Sequence, residues 1–368
     1  MADLGDSQLL VRFVTKQEQY AVPDSPIAIQ SNVLSSDLNT LLKALLKETN
    51  PSLEKVADFD FLICGELLCT SIAEHIQEKG ISTEDTLEVE YLERFPAPRP
   101  QDCLMHDDWV SAVHTQGNWI LSGCYDNSIH IWSTKGQHKL SIPGHTSPVK
   151  AVSWVSVTNE QAIFVRYIGK YIKSLGLSDE HNAPAKKKSR PEQGKIREPL
   201  TTLKGHREAV SGIKWMDFNT VVSSGWDHLI KIWDCELGGL KQEIAGNKAF
   251  FDLDWSPLNN NIITASADRH IRLYDPRSTD SIVRTTYTSH NGWVQSVRWS
   301  TTKDTLFLSA GYDGQVKLWE TRSPKTPLYD LSGHEDKVLC CDWSNPALLI
   351  SGSCDNTLRI FKSKHALQ

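Results

Sequence analysis

Ser122-Gly123-Cys124-Tyr125-Asp126, with Trp132 six residues further on, decides the fold because the phrase recurs. A small polar residue, an Asp four positions later and an aromatic residue six beyond it return as Ser223…Asp227…Trp233, Thr264…Asp268…Tyr274, Ser309…Asp313…Trp319 and Ser351…Asp355…Phe361. From Asp227 onward the Asp residues lie 41, 45 and 42 positions apart (268 − 227, 313 − 268, 355 − 313). That is the roughly 40–45-residue period of a four-stranded propeller blade. A blade buries its apolar faces only against its neighbours, so binding falls to the rims of the ring.

Four of the five phrases have an upstream His: His106 for Asp126, His206 for Asp227, His290 for Asp313 and His334 for Asp355. The expected arrangement is a buried chain in which Asp accepts from His, and His ties to the Ser hydroxyl and the Trp ring nitrogen. The candidate sets are His106, Ser122, Asp126 and Trp132; His206, Ser223, Asp227 and Trp233; His290, Ser309, Asp313 and Trp319; and His334, Ser351 and Asp355. Donors and acceptors balance in such a set. A Ser, a His and an Asp alone would suggest a nucleophilic triad, but a set repeated in blade after blade reads as structural, because active sites are few per protein.

The chain has 368 residues and a net charge of −6, which suits a small domain plus one ring and argues against a general nucleic-acid binder. No apolar run approaches the roughly 20 residues of a membrane span, and the Met1-Ala-Asp-Leu-Gly-Asp start lacks the features of a secretory signal. Eight Cys without a Cys-x-x-Cys spacing read as reduced core residues of an intracellular protein, with no metal site and no cofactor expected.

Residues 1–95 follow a different grammar. Leu9–Phe13 and Ala21–Val22 with Ile27–Ile29 read as a hairpin; Leu38, Leu41, Leu42, Leu45 and Leu46 form one apolar helical face behind a Ser35 or Ser36 cap; Phe59–Ile63 and Thr86–Tyr91 read as strands. This order predicts a ubiquitin-like β-grasp domain. Phe95-Pro-Ala-Pro-Arg-Pro100 predicts a stiff linker over 96–105, and residues 106–368 form the propeller. The fold class is thus mostly β, an α+β head followed by a ring. Ala185-Lys186-Lys187-Lys188-Ser189-Arg190, in a polar stretch over 174–200, reads as a solvated insertion between blades and as a nuclear-import signal carried by Lys186, Lys187, Lys188 and Arg190.

The head phrase Phe59-Asp-Phe-Leu-Ile-Cys-Gly-Glu-Leu-Leu68, followed by His106-Asp-Asp-Trp-Val110 opening the ring, resembles the WD-repeat ribosome-biogenesis factors of the Ytm and PeBoW-complex family. Ser266–Arg272, Ser289–Val294 and Pro327–Leu331 carry the likeness toward the C-terminus. The resemblance implies a non-enzymatic scaffold of the nucleus, nucleolus and nucleoplasm. It would join an Erb/Bop-type WD-repeat protein and a pescadillo-type protein on the pre-60S particle, in ribosomal RNA processing and large-subunit maturation, away from membranes. It also implies that the head docks on the midasin AAA ATPase, an acidic side chain completing a Mg²⁺ site held by that partner. Glu84 matches the family position in Gly80-Ile-Ser-Thr-Glu-Asp85, with Asp85 its near competitor; a carboxylate is a hard oxygen ligand suited to Mg²⁺.

The chain departs from the seven-bladed family pattern between Asp126 and Asp227. Those 101 residues, less the insertion, hold fewer than two periods, and Gly144-His145 is followed at the expected Asp position by Arg166. Five clear blades plus a remnant are expected. Two other readings exist: a substrate receptor of a cullin-type ubiquitin ligase, from the resemblance of Tyr274-Asp-Pro-Arg277 and Trp319-Glu-Thr-Arg322 to a Trp-Asp-x-Arg phrase, and a Notchless-type assembly factor, which has a related head but more blades.

Overall fold

The computed structural model describes residues 7–50, 57–83, 85–143, 145–157, 160–166, 172–174, 201–278 and 283–363, with backbone alone for 155–174 and 201. The head comprises β1 (Gln8–Val14), β2 (Ile27–Gln30), α1 (Ser35–Thr49), β3 (Phe59–Ile63), β4 (Glu66–Leu67), α2 (Ile72–Lys79) and β5 (Leu87–Glu93). Its sheet order is β2-β1-β5-β3-β4, with β1 parallel to β5 and the other pairs antiparallel. This is the β-grasp arrangement expected, because the Leu face of α1 (Leu38, Leu42 and Leu46, all fully buried) covers one side of the sheet against Phe13, Phe61 and Tyr91. Ser35 and Ser36 do not cap α1. Both lie inside its first turn, and the Asp37 carboxylate accepts from Leu34 N instead. The second helix is capped by Ser71, whose hydroxyl accepts from Glu74 N while Glu74 reaches back, a reciprocal capping box.

Residues 99–105 form no linker. They are β6 (Arg99–Met105), the outermost strand of the last blade, hydrogen-bonded to Thr357–Lys362. Pro100 is tolerated because the strand is an edge and because the register slips beside it, between Ile360 and Phe361. The last blade is thus completed by a strand from the N-terminal side of the blades.

Among the described residues the ring has five four-stranded antiparallel blades. The first contains β7 (Val110–Gln116), β8 (Trp119–Cys124), β9 (Ser128–Ser133) and β10 (His138–Pro143). Others span 210–245, 250–287 and 294–331, and the last joins 338–362 to β6. Between the first blade and residue 210 lie two separate two-stranded pieces, β11 (Ala151–Val157) with β12 (Glu160–Arg166) and β13 (Ile172–Ser174) with β14 (Thr201–Leu203). This is the expected remnant. Its β11 still packs on the first blade: Val149 and Trp154 join Leu121 and Ile129 in one cluster, and Trp154 N donates to His114 Nδ1.

Inner strands of neighbouring blades are also tied by buried carboxylates. Asp342 accepts from Thr115 N (2.8 Å) and Thr115 Oγ1 (2.6 Å), Asp254 from Trp299 N (2.7 Å), and Asp252 from Ser296 Oγ (2.8 Å). The Cys residues only partly follow expectation: Cys124, Cys340, Cys341 and Cys354 are buried, Cys235 is half-buried, and Cys64, Cys69 and Cys103 are exposed.

Candidate functional site

The recurring polar set is realised in full in two blades. In the 210–245 blade, Trp233 Nε1 donates to Ser223 Oγ (2.8 Å), Ser223 Oγ lies 2.8 Å from His206 Nε2, and His206 Nδ1 lies 2.9 Å from Asp227. The 294–331 blade repeats it with Trp319, Ser309, His290 and Asp313 at 2.9, 2.7 and 2.9 Å. The last blade keeps His334 between Ser351 (2.8 Å) and Asp355 (2.9 Å), with Phe361 in the aromatic place. Asp227 and Asp355 each also accept from the backbone N–H after the His, at Arg207 and Glu335, so the Asp pins the loop that enters the inner strand. Burial pushes His206 and His334 below the ordinary imidazole value. A neutral ring then donates at one nitrogen and accepts at the other, as the chain requires.

Gly225 and Gly311 show how tightly the Asp turn is packed. A Cβ on Gly225 would stand 2.6 Å from Asp227 Oδ1 and 2.7 Å from His206 Nδ1, and Gly311 repeats this against Asp313 and His290. The close approach of backbone to the His–Asp pair is what those glycines permit.

The set fails in the first blade. His106 Nε2 still meets Ser122 Oγ (2.9 Å) and Trp132 Nε1 donates to it (3.2 Å), but Asp126 turns to Ser128 and His130. His106 Nδ1 has no well-formed hydrogen bond, and burial holds its ring down at about 4. The expectation that Asp126 accepts from His106 is therefore wrong. The 250–287 blade has no upstream His; Asp268 pairs with Arg272 Nη2 (2.6 Å), and His270 Nδ1 lies 3.6 Å from its other oxygen.

The second candidate region is the seam between head and ring. Arg322, at the end of the 294–331 blade's third strand, places Nη1 3.1 Å from Glu90 on β5 and Nε 2.9 Å from Glu320. Glu66 on β4 takes Lys79 of α2 at 2.5 Å and Lys325 of the blade. Desolvation would raise Glu66, but the two lysines outweigh it and hold the carboxyl below its ordinary value. Tyr329 Oη donates to Phe95 O (2.7 Å), and Phe95 with Leu67 enters the blade core beside Trp343. The head is seated on the ring by both apolar and ionic contacts. Nothing in the sequence flagged this seam, since its partners stand more than 200 positions apart.

Asp85 is exposed on the loop before β5. Glu84, Lys186, Lys187, Lys188 and Arg190 lie outside the described residues. The Trp-Asp-x-Arg likenesses are both occupied internally: Arg322 by Glu90 and Glu320, and Arg277 by Asp275 (3.0 Å).

A β-grasp head locked onto a ring of His–Asp-pinned blades defines a WD-repeat propeller protein with a ubiquitin-like head. Comparison with known proteins agrees. Residues 9–76 match the NLE (NUC135) domain, and residues 100–133, 197–234, 238–275, 281–320 and 325–362 match the WD domain, G-beta repeat. Proteins named ribosome biogenesis protein WDR12 homolog are 46% identical in Culex quinquefasciatus (99% of this chain, 97% of the relative), 47% in Anopheles gambiae (98% and 96%) and 48% in Drosophila mojavensis (98% and 97%). The chain belongs to this WDR12 family of ribosome biogenesis proteins.

Among solved structures, the WD40 propeller domain of Doa1 (TM-score 0.56, 18% identity, 74% of this chain and 99% of that one) and the computationally designed Ika8 protein (TM-score 0.51, 18%, 72% and 99%) share the fold. The Culex alignment runs over 418 positions against 368 residues, so at least 50 positions have no residue here. That is about one blade period, and no repeat match falls between 133 and 197.

Proposed function

We propose that this chain is a non-enzymatic interaction scaffold acting in the nucleolus and nucleoplasm on the large-subunit precursor. The propeller joins an Erb/Bop-type WD-repeat protein and a pescadillo-type protein, and the head docks on the midasin AAA ATPase. The observation that carries this reading is the near full-length match, head and ring in one alignment, to ribosome biogenesis relatives. The occupation of Arg322 and Arg277 within the chain speaks against the ligase-receptor reading. The basic run at 186–190 serves nuclear import.

In the docking, Glu84 completes the coordination of a Mg²⁺ held by the partner. The exposure of neighbouring Asp85 supports an accessible acidic loop, and carboxylate oxygen is the donor Mg²⁺ prefers. The test is binding of the full chain to a midasin adhesion domain with and without Mg²⁺. Loss of at least tenfold in affinity is expected for Glu84→Ala and little for Asp85→Ala. Equal binding of Glu84→Ala and the parent chain would remove Glu84 from the contact.

A further inference from the structure

The repeat supplies its own controls, because each position in one blade has counterparts in the others. Two positions before the Asp stand Gly225, Ser266, Gly311 and Ser353, but Cys124 in the first blade. Four positions after it stand Lys231, Arg272, Lys317 and Arg359, but His130 in the first blade. A thiol and an imidazole thus replace a small residue and a cation on either side of Asp126, across one tight turn. In this blade alone of those with an upstream His, the His–Asp link is absent.

The geometry matches the substitution. The ligand atoms of Cys124, Asp126 and His130 all lie within 4.8 Å of one another. His130 Nε2 is 3.2 Å from Asp126 Oδ2, and its Nδ1 is held by Ser141 Oγ at 3.0 Å, the kind of outer contact that orients a ligating imidazole. Cys124 is fully buried, and its Sγ donates to Asp108 O (3.2 Å). Beside this set stands His106, 92% buried, its Nδ1 without a well-formed hydrogen bond and its ring edge-on to His130 with centroids 5.1 Å apart, although it is not among the donors that lie within 4.8 Å of one another.

We propose that the first-blade turn is a binding site for one zinc-class divalent cation, held by Cys124, Asp126 and His130 with a water as the fourth donor. One thiolate, one carboxylate and one imidazole, completed by water, form a borderline-soft tetrahedral set, which selects Zn²⁺ over Mg²⁺ or Ca²⁺. Zinc–ligand bonds of about 2.0–2.3 Å require the donors to close in by about an ångström. On binding, the Cys124 thiol proton passes to solvent and the S–H contact to Asp108 O is given up. The cation takes the place of the missing His–Asp link, in the blade beside the one that β6 closes.

The test uses the full chain, stripped with chelator, loaded with Zn²⁺ and desalted, and then measured for metal by mass spectrometry. The comparison is Cys124→Gly/His130→Lys, which installs the residues that Gly225 with Lys231 and Gly311 with Lys317 show to be compatible with a blade. About one zinc per parent chain is expected, with at least a tenfold loss in the variant. Loading with Co²⁺ should give a near-ultraviolet cobalt–thiolate band in the parent. If the double variant does not fold, Cys124→Ser, read by the same band, decides. Zinc retained equally by parent and variant belongs to the exposed Cys64, Cys69 or Cys103 and overturns the proposal. So does a parent chain without the cobalt–thiolate band.

Discussion

Replacing Asp227 by Ala tests how much of the ring is held by its buried polar chains. Asp227 accepts from His206 Nδ1 at 2.9 Å and from Arg207 N at 2.9 Å, with only 3% of its side chain exposed. The substitution therefore strands three donors, His206 Nδ1, Arg207 N and the more distant Leu229 N (3.3 Å), in a site largely closed to water. Each unsatisfied buried group costs about 1–3 kcal/mol, and shared relaxation brings the sum to about 3 kcal/mol. At about 2–4 °C per kcal/mol for a domain of this size, the melting temperature should fall by about 6–12 °C.

Asp227→Asn keeps an acceptor in place and should lose about a third of that. Asp126→Ala, compared in chelator-treated buffer, supplies the contrast. His106 does not depend on Asp126, and the Ser122–His106–Trp132 contacts survive, so about 1 kcal/mol is expected. Differential scanning calorimetry of the four proteins, with near-ultraviolet circular dichroism to confirm the folded state, reads the series. A melting temperature for Asp227→Ala within a degree of the parent, or equal losses for Asp227→Ala and Asp126→Ala, would refute the reasoning.

Two further outcomes follow from the geometry. Burial lowers His206 and His334 from the ordinary 6.5, so the unfolded chain binds protons there that the folded chain refuses; stability is full above about pH 6.5 and declines as pH falls below it. Asp313 and Asp355 are also depressed, desolvation being outweighed by bonds from their partners, and their contribution is lost only at pH below the ordinary carboxylate value of 3.8. Urea midpoints that stay constant between pH 7.5 and 5 would contradict this assignment. At the seam, Arg322→Ala leaves Glu90 and Glu320 without their shared cation, which should cost about 1–2 kcal/mol for a pair of this partial exposure. Hydrogen exchange should then rise severalfold in β4 and β5 while the 210–245 blade is unchanged; uniform exchange across both would show that Arg322 does not hold the head.

What could be read in the residues followed local physics. The blade period, the Leu face of α1 and the Phe59–Ile63 strand depend on spacing along the chain and emerged at or near their places. Non-local pairing was hidden. Three prolines made 96–105 read as a linker, yet an edge strand at a register slip accepts Pro100. The His106 set looked complete because its four residue types stood at the right spacing. Which partner Asp126 takes depends on Ser128 and His130 in its own turn, and a Cys, an Asp and a His spaced two and four apart match no paired-cysteine motif. The head–ring ion pairs join ordinary surface residue types whose meeting only the fold decides.

The position of β6 has a mechanical consequence. The head runs directly into this strand through 94–98, and β6 is bonded along its length to Thr357–Lys362, the last strand among the described residues. A pull applied to the head is resisted first by the Glu66 and Glu90 ion pairs and the Phe95 plug at the seam. Once those yield, the load falls on the ladder between β6 and Thr357–Lys362, which works beside the Thr115–Asp342 bonds and the Val110–Cys340 packing that also join the first blade to the last. A puller acting on the head therefore has its grip on the outer strand of the last blade, one part of the junction between the first blade and the last.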